Sequence, residues 1–97
     1  SLDSFVEFME NDPVEPVHPG MIRYLTEKGL WKDSYARRNE FNLKLANKYI
    51  AAYEAAVKAA VKKGLKIDPK NEKWVKFWQQ AKKDNGIAES FGTVKRP

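Results

Sequence analysis

An all-α fold is predicted, with about four helices, one long central helix of roughly 30 residues and no sheet. Three observations predict it. From about Ser34 to Lys63 neither Gly nor Pro interrupts the chain, and Gly64 closes the run. The other segments space their apolar residues at helical intervals. Nothing reads as a β-sheet, and no internal repeat is evident.

Residues 1–10 place Leu2, Phe5, Val6 and Met9 on a helical spacing, with Ser1 or Asp3 available as a cap. Residues 11–18 carry Pro13 and Pro16 and run into Pro19. Each proline lacks an amide donor and pushes its predecessor towards extended geometry, so an extended strap is expected. A short helix fits residues 19–28. Pro19 suits its first turn, Gly29 suits the left-handed position after its end, and Met21, Ile22, Tyr24 and Leu25 supply an apolar face. Leu30 and Trp31 then make a hydrophobic step into the next helix.

The long helix, residues 34–63, dominates. Asp33 or Ser34 can cap its start, and Lys58, Lys62 and Lys63 complement the negative end of its dipole. Tyr35, Asn42, Leu45, Tyr49, Ala52, Ala56 and Ala59 or Ala60 trace one face, widened by Phe41, Ala46, Tyr53 and Val57. Frequent alanine raises helix propensity and permits close approach of a neighbour. Asp68 can cap, and Pro69 can start, a fourth helix over residues 69–83, with Trp74, Val75, Phe77, Trp78 and Ala81 as its apolar stripe. Asp84-Asn85-Gly86 stops it, and residues 84–97 read as a tail.

These elements are expected to form a single helical unit over residues 1–97. At 1.5 Å per residue the long helix measures about 45 Å, whereas a compact chain of this length is roughly 32 Å across. The helix therefore bends, pairs with a second chain or lies along a bigger protein. Trp31, Tyr49, Tyr53, Trp74, Phe77 and Trp78 are the candidate packing or interaction side chains, part of which something else is expected to cover.

Composition narrows the chemistry. The 97 residues include no cysteine, which excludes disulfide scaffolds, zinc-thiolate sites and cysteine nucleophiles. One histidine, His18, leaves histidine-based catalytic and metal templates at most one candidate centre. A general acid or base at His18 needs a carboxylate and a pocket, and neither Glu15 nor Glu27 has a spacing that argues for one. A hydrogen bond within the proline-fixed turn His18-Pro19-Gly20 is the expected role. No paired carboxylates, glycine-rich phosphate loop or metal motif occurs, so no enzyme, cofactor or metal site is expected.

The net charge is +5, but residues 1–16 hold five acids (Asp3, Glu7, Glu10, Asp12 and Glu15) and no Lys or Arg. Lys58, Lys62, Lys63, Lys66, Lys70, Lys73, Lys76, Lys82 and Lys83 cluster near Trp74, Phe77 and Trp78, a mixture that suits single-stranded nucleic acid. The rings, however, share one helical stripe and the lysines the opposite faces, the ordinary pattern of a helix whose ring side is core. No apolar run is long enough to span a bilayer, and no signal-peptide pattern occurs. The chain opens on Ser1 and not Met, which reads as a processed product or a piece of a longer chain.

Val17-His18-Pro19-Gly20-Met21-Ile22-Arg23-Tyr24, followed by Glu27-Lys28-Gly29-Leu30-Trp31, resembles the C-terminal signature of TAXI-type solute-binding subunits. These are the periplasmic receptors of tripartite (TRAP) transporters. Their pattern continues into a terminal helix with an asparagine, a leucine and a basic residue near its start, parts open here to Asn39 or Asn42, Leu43 or Leu45, and Lys44. Met21 stands where the family has a small residue, and Leu25 where it has a second aromatic. The match covers residues 14–60, and the tryptophan-rich segment extends past the usual end.

The resemblance implies that this chain is the C-terminal helical part of a two-lobed α/β receptor. Such a receptor captures a small organic acid or amino acid and delivers it to transporter membrane subunits, without catalysis. A periplasmic location is implied in the same way. His18-Pro19-Gly20 is then a structural junction, and the long helix lies on the remainder of the receptor. Two other readings stand beside it: a self-contained helical interaction module that dimerises through the long helix and the Trp74/Trp78 stripe, and a basic helical nucleic-acid-binding module.

Overall fold

The computed structural model describes residues 1–11 and 13–97. The order is α1 (Leu2–Glu10), α2 (Pro19–Glu27), α3 (Asp33–Lys62) and α4 (Glu72–Asp84), followed by a 3-10 turn, Phe91–Thr93. Among the described residues there is no strand, so the fold is all-α, with a central helix of 30 residues. Asp12, one of the five acids of the leader and part of the expected strap, lies outside the described residues.

Three of the four starts have a side-chain reason. Ser1 Oγ accepts the Ser4 amide at 3.3 Å to cap α1, and His18 caps α2 with Pro19 in the first turn. The ends of α2, α3 and α4 share one device. Gly64 adopts φ +69°, which lets the Leu65 amide donate back to the Ala60 carbonyl at 2.9 Å and returns Leu65 to the apolar face. The same bond closes α2 (Leu30 to the Leu25 carbonyl, 2.8 Å) and α4 (Ile87 to the Lys82 carbonyl, 2.9 Å).

The fourth helix begins at Glu72, later than Pro69. Asp68 does accept an amide, that of Lys70 at 2.9 Å, but its carbonyl also accepts the Asn71 amide, which closes a turn. Asn71 then takes the Lys73 amide as the true cap.

The chain divides into two compact units, residues 1–45 with 95–97 and residues 46–94, α3 contributing to both. The first buries Met9, Leu25 and Tyr35 with two polar side chains, Asn39 and Asn42. The second buries Ala52, Ala56, Ala60, Trp74 and Ile87. Its alanines leave room for the Trp74 indole, around which Val57, Leu65, Ile67, Phe77, Trp78 and Ala81 pack half-buried. Residues 84–97 are therefore not a simple tail: α4 extends to Asp84, Ile87 is core, and Arg96 is hydrogen-bonded within the first unit.

Candidate functional site

His18, Pro19 and Gly20 form one compact turn. The Gly20 amide donates to His18 Nδ1 at 2.9 Å, and the amides of Met21 and Ile22 donate to the His18 carbonyl at 2.9 and 3.1 Å. Because Nδ1 accepts, the proton of the neutral ring is assigned to Nε2. A Cβ on Gly20 would lie 3.1 Å from His18 Nδ1 and 3.3 Å from Cε1, so any other residue there requires the imidazole to shift by a few tenths of an ångström. The imidazole borders a small apolar depression of about 210 Å³ floored by Phe5, Phe8, Met9, Pro16 and Val17. Among the described residues no carboxylate lines it.

The strap before His18 is held by asparagine. Asn39 Oδ1 accepts the Val17 amide at 2.7 Å, and Asn42 Nδ2 donates to the Pro13 carbonyl at 2.9 Å. Arg96 completes the arrangement: its Nε donates to Asn42 Oδ1 at 2.8 Å and a terminal nitrogen donates to the Val14 carbonyl at 3.1 Å. A proline-rich segment cannot pair its backbone groups in a helix or sheet ladder, so from α3 Asn39 takes the Val17 amide and Asn42 serves the Pro13 carbonyl instead. Asn42 was legible as a residue of the apolar face, but its role and that of Arg96 were not.

A perturbed titrating cluster lies beside this strap. Lys32 Nζ and the buried Tyr35 hydroxyl both donate to Glu10 Oε1 at 2.6 Å. Hydrogen bonding from Lys32, then from Tyr35, holds the Glu10 carboxyl below its ordinary range. Lys32 is raised by the same bond and charge, and Tyr35 is raised by burial first and by Glu10 second. The trio ties the end of α1 to the start of α3. Both bonds run to Glu10, the last residue of α1, from Lys32 and Tyr35 at the start of α3, which makes the trio an anchor.

The six candidate interaction side chains do not form one face. Trp31 is half-buried edge-on to Tyr35 at 5.8 Å, within the first unit. In the second, Tyr49 donates to the Glu89 carbonyl and meets Phe91 edge-on. Trp74 is buried, and Trp78 stacks on it with ring centres 6.5 Å apart. Tyr53 stands edge-on to Trp78 at 5.2 Å and is the one clearly exposed ring of the six. These rings build the core of the second unit instead of presenting a stacking platform.

The exposed apolar side chains lie elsewhere. On the α3 part of the second unit, Ile50 is 54% and Val61 65% exposed, and both project from the helix side that carries Glu54 and Lys58. Among the described residues no group of three or more potential metal ligands is gathered, and no helix is long and apolar enough to cross a membrane. Comparison of the chain with family models, curated proteins and solved structures returns no match.

Proposed function

We propose that this chain is a non-catalytic helical packing portion of a larger protein, the C-terminal part of a periplasmic solute receptor of the TAXI type. The whole receptor delivers a small organic acid or amino acid to a TRAP-type transporter, whose membrane subunits are its partners. One observation carries the reading: the balance of apolar side chains. Among the described residues eight hydrophobic side chains are buried, three of them alanines, while the larger Phe5, Phe8, Tyr24, Ile50, Tyr53 and Val61 are exposed. Burying such a side chain from full exposure is worth about 1.5–3 kcal/mol, and the 37–65% of each that is still exposed is the share a covering protein body recovers. The His18-Pro19-Gly20 turn fits the same role, since its imidazole is spent on a helix cap.

Immunodetection of the protein in its native cell tests this. The expected product carries a body of about two hundred residues or more ahead of this chain and is released with the periplasmic contents. An 11.2 kDa species retained with the cytoplasm contradicts the proposal.

A second reading has its own observation. Glu54 and Lys58 lie between the exposed Ile50 and Val61, so antiparallel pairing of two copies along α3 sets each Glu54 against the other copy's Lys58. Light scattering over a concentration series separates it from the first, because a concentration-independent monomer excludes the pair.

A further inference from the structure

The second unit carries the whole net charge of the protein. Residues 46–94 hold ten lysines, no arginine and five carboxylates, while residues 1–45 with 95–97 hold eight bases and eight acids. Within the second unit the lysines gather at the turn joining α3 to α4. Lys63, Lys66, Lys70 and Lys73 line one open depression of about 760 Å³ there, alongside Glu72 and the Gly64 turn. All four are exposed. Lys63 Nζ is held 5.1 Å over the Phe77 ring, and Lys66 reaches Asp68 only at 3.9 Å. Among the described residues no carboxylate lies within ion-pair distance of Lys63, Lys70 or Lys73.

The chemistry of the surface selects its partner. A nucleic-acid strand is usually held by guanidinium forks and by bases stacked on free rings. This unit has no arginine, and its indoles are stacked on each other in the core. A small free anion needs converging donors in an enclosed site, whereas this depression is open. An anionic bilayer asks only for exposed lysine point charges, with the field of many headgroups acting on each. We propose that the α3–α4 turn is a docking surface for an anionic lipid bilayer, held by Lys63, Lys66, Lys70 and Lys73. This stands whether or not the receptor reading of the chain holds.

Sedimentation of the full chain with lipid vesicles tests it. Vesicles of phosphatidylcholine alone are compared with vesicles containing about one third phosphatidylglycerol, at roughly 50 mM and 500 mM salt. Each lysine near such a surface contributes about fivefold to binding, so the phosphatidylglycerol vesicles are preferred by about 100-fold or more at low salt, and the preference collapses at high salt. The variant K66Q/K70Q/K73Q loses about 100-fold. The variant K28Q/K44Q/K95Q, which removes the same charge from the first unit, stays within about threefold of the parent.

Circular dichroism confirms that each variant keeps its helices. Should the triple variant unfold, K70Q alone, with an expected loss of about fivefold, decides. Three results overturn the proposal: no preference for phosphatidylglycerol at low salt, equal losses in the two triple variants, or release from the vesicles by inorganic phosphate at constant ionic strength. Release by a single-stranded oligonucleotide at lower charge concentration than the lipid overturns it too, by assigning the surface to nucleic acid.

Discussion

Replacing Asn42 by alanine is expected to destabilise the first unit by about 3 kcal/mol. The side chain is 1% exposed and bonds on both ends, to the Pro13 carbonyl and to Arg96 Nε. Losing the bond to Pro13 leaves a buried carbonyl without its donor, which costs about 2 kcal/mol. A hydrogen bond from a charged donor is stronger than a neutral one, but Arg96 is half-exposed and keeps the Val14 carbonyl, so its share is about 1 kcal/mol. At about 4–8 °C per kcal/mol for a domain of this size, the thermal midpoint falls by roughly 12–24 °C.

Thermal melting followed by far-ultraviolet circular dichroism reads the shift. A double-mutant cycle with Arg96→Ala isolates the shared bond and is expected to show a coupling of about 1 kcal/mol. A midpoint for Asn42→Ala within about 2 °C of the parent would refute the clamp. So would strict additivity of the two substitutions, because Arg96 and Asn42 would then not act on each other.

The remaining predictions concern other parts of the fold. His18→Ala removes the α2 cap and lowers stability by about 1 kcal/mol in urea denaturation, and His18→Asn, another capping residue, recovers most of it. Trp74→Ala empties the centre of the second unit and costs about 3–5 kcal/mol, read as lost hydrogen-exchange protection in α4. Because the folded-state Glu10 carboxyl titrates low, its stabilisation is present above the ordinary carboxylate range and is lost as pH falls through the lowered value. Urea midpoints for Glu10→Gln should therefore fall less steeply than the parent's in acid. Tyr35 and Lys32 titrate high, so their share is present below their ordinary ranges and lost as pH climbs through the raised values; Tyr35→Phe should flatten the alkaline decline.

The helices were legible because their signals are local. The uninterrupted run before Gly64, the His18-Pro19 start and the glycine after each of α2, α3 and α4 act within a few residues. The start of α4 was misplaced because Asp68-Pro69 and Asn71 both carry cap chemistry, and only the folded turn shows which amide each takes. The reading of the last residues as a tail failed for a different reason. Arg96 meets Val14 and Asn42 across 82 and 54 positions of sequence, a pairing that no window of periodicity contains. The rings of α4 read correctly as a core-facing stripe. Which apolar side chains stay in solvent was not legible, because Ile50, Val57 and Val61 look alike in sequence and differ only in what packs against them.

The claim that another protein body covers this chain is tested most directly at Ile50 and Val61. The chain has no cysteine, so Ile50→Cys and Val61→Cys each give a single reporter thiol. Maleimide labelling rates are then compared between the 97-residue chain alone and the protein expressed from its own complete gene. The account predicts fast labelling in the isolated chain and labelling slowed by at least about tenfold in the complete protein, as burial removes the thiolate from water. Equal rates in the two would contradict it.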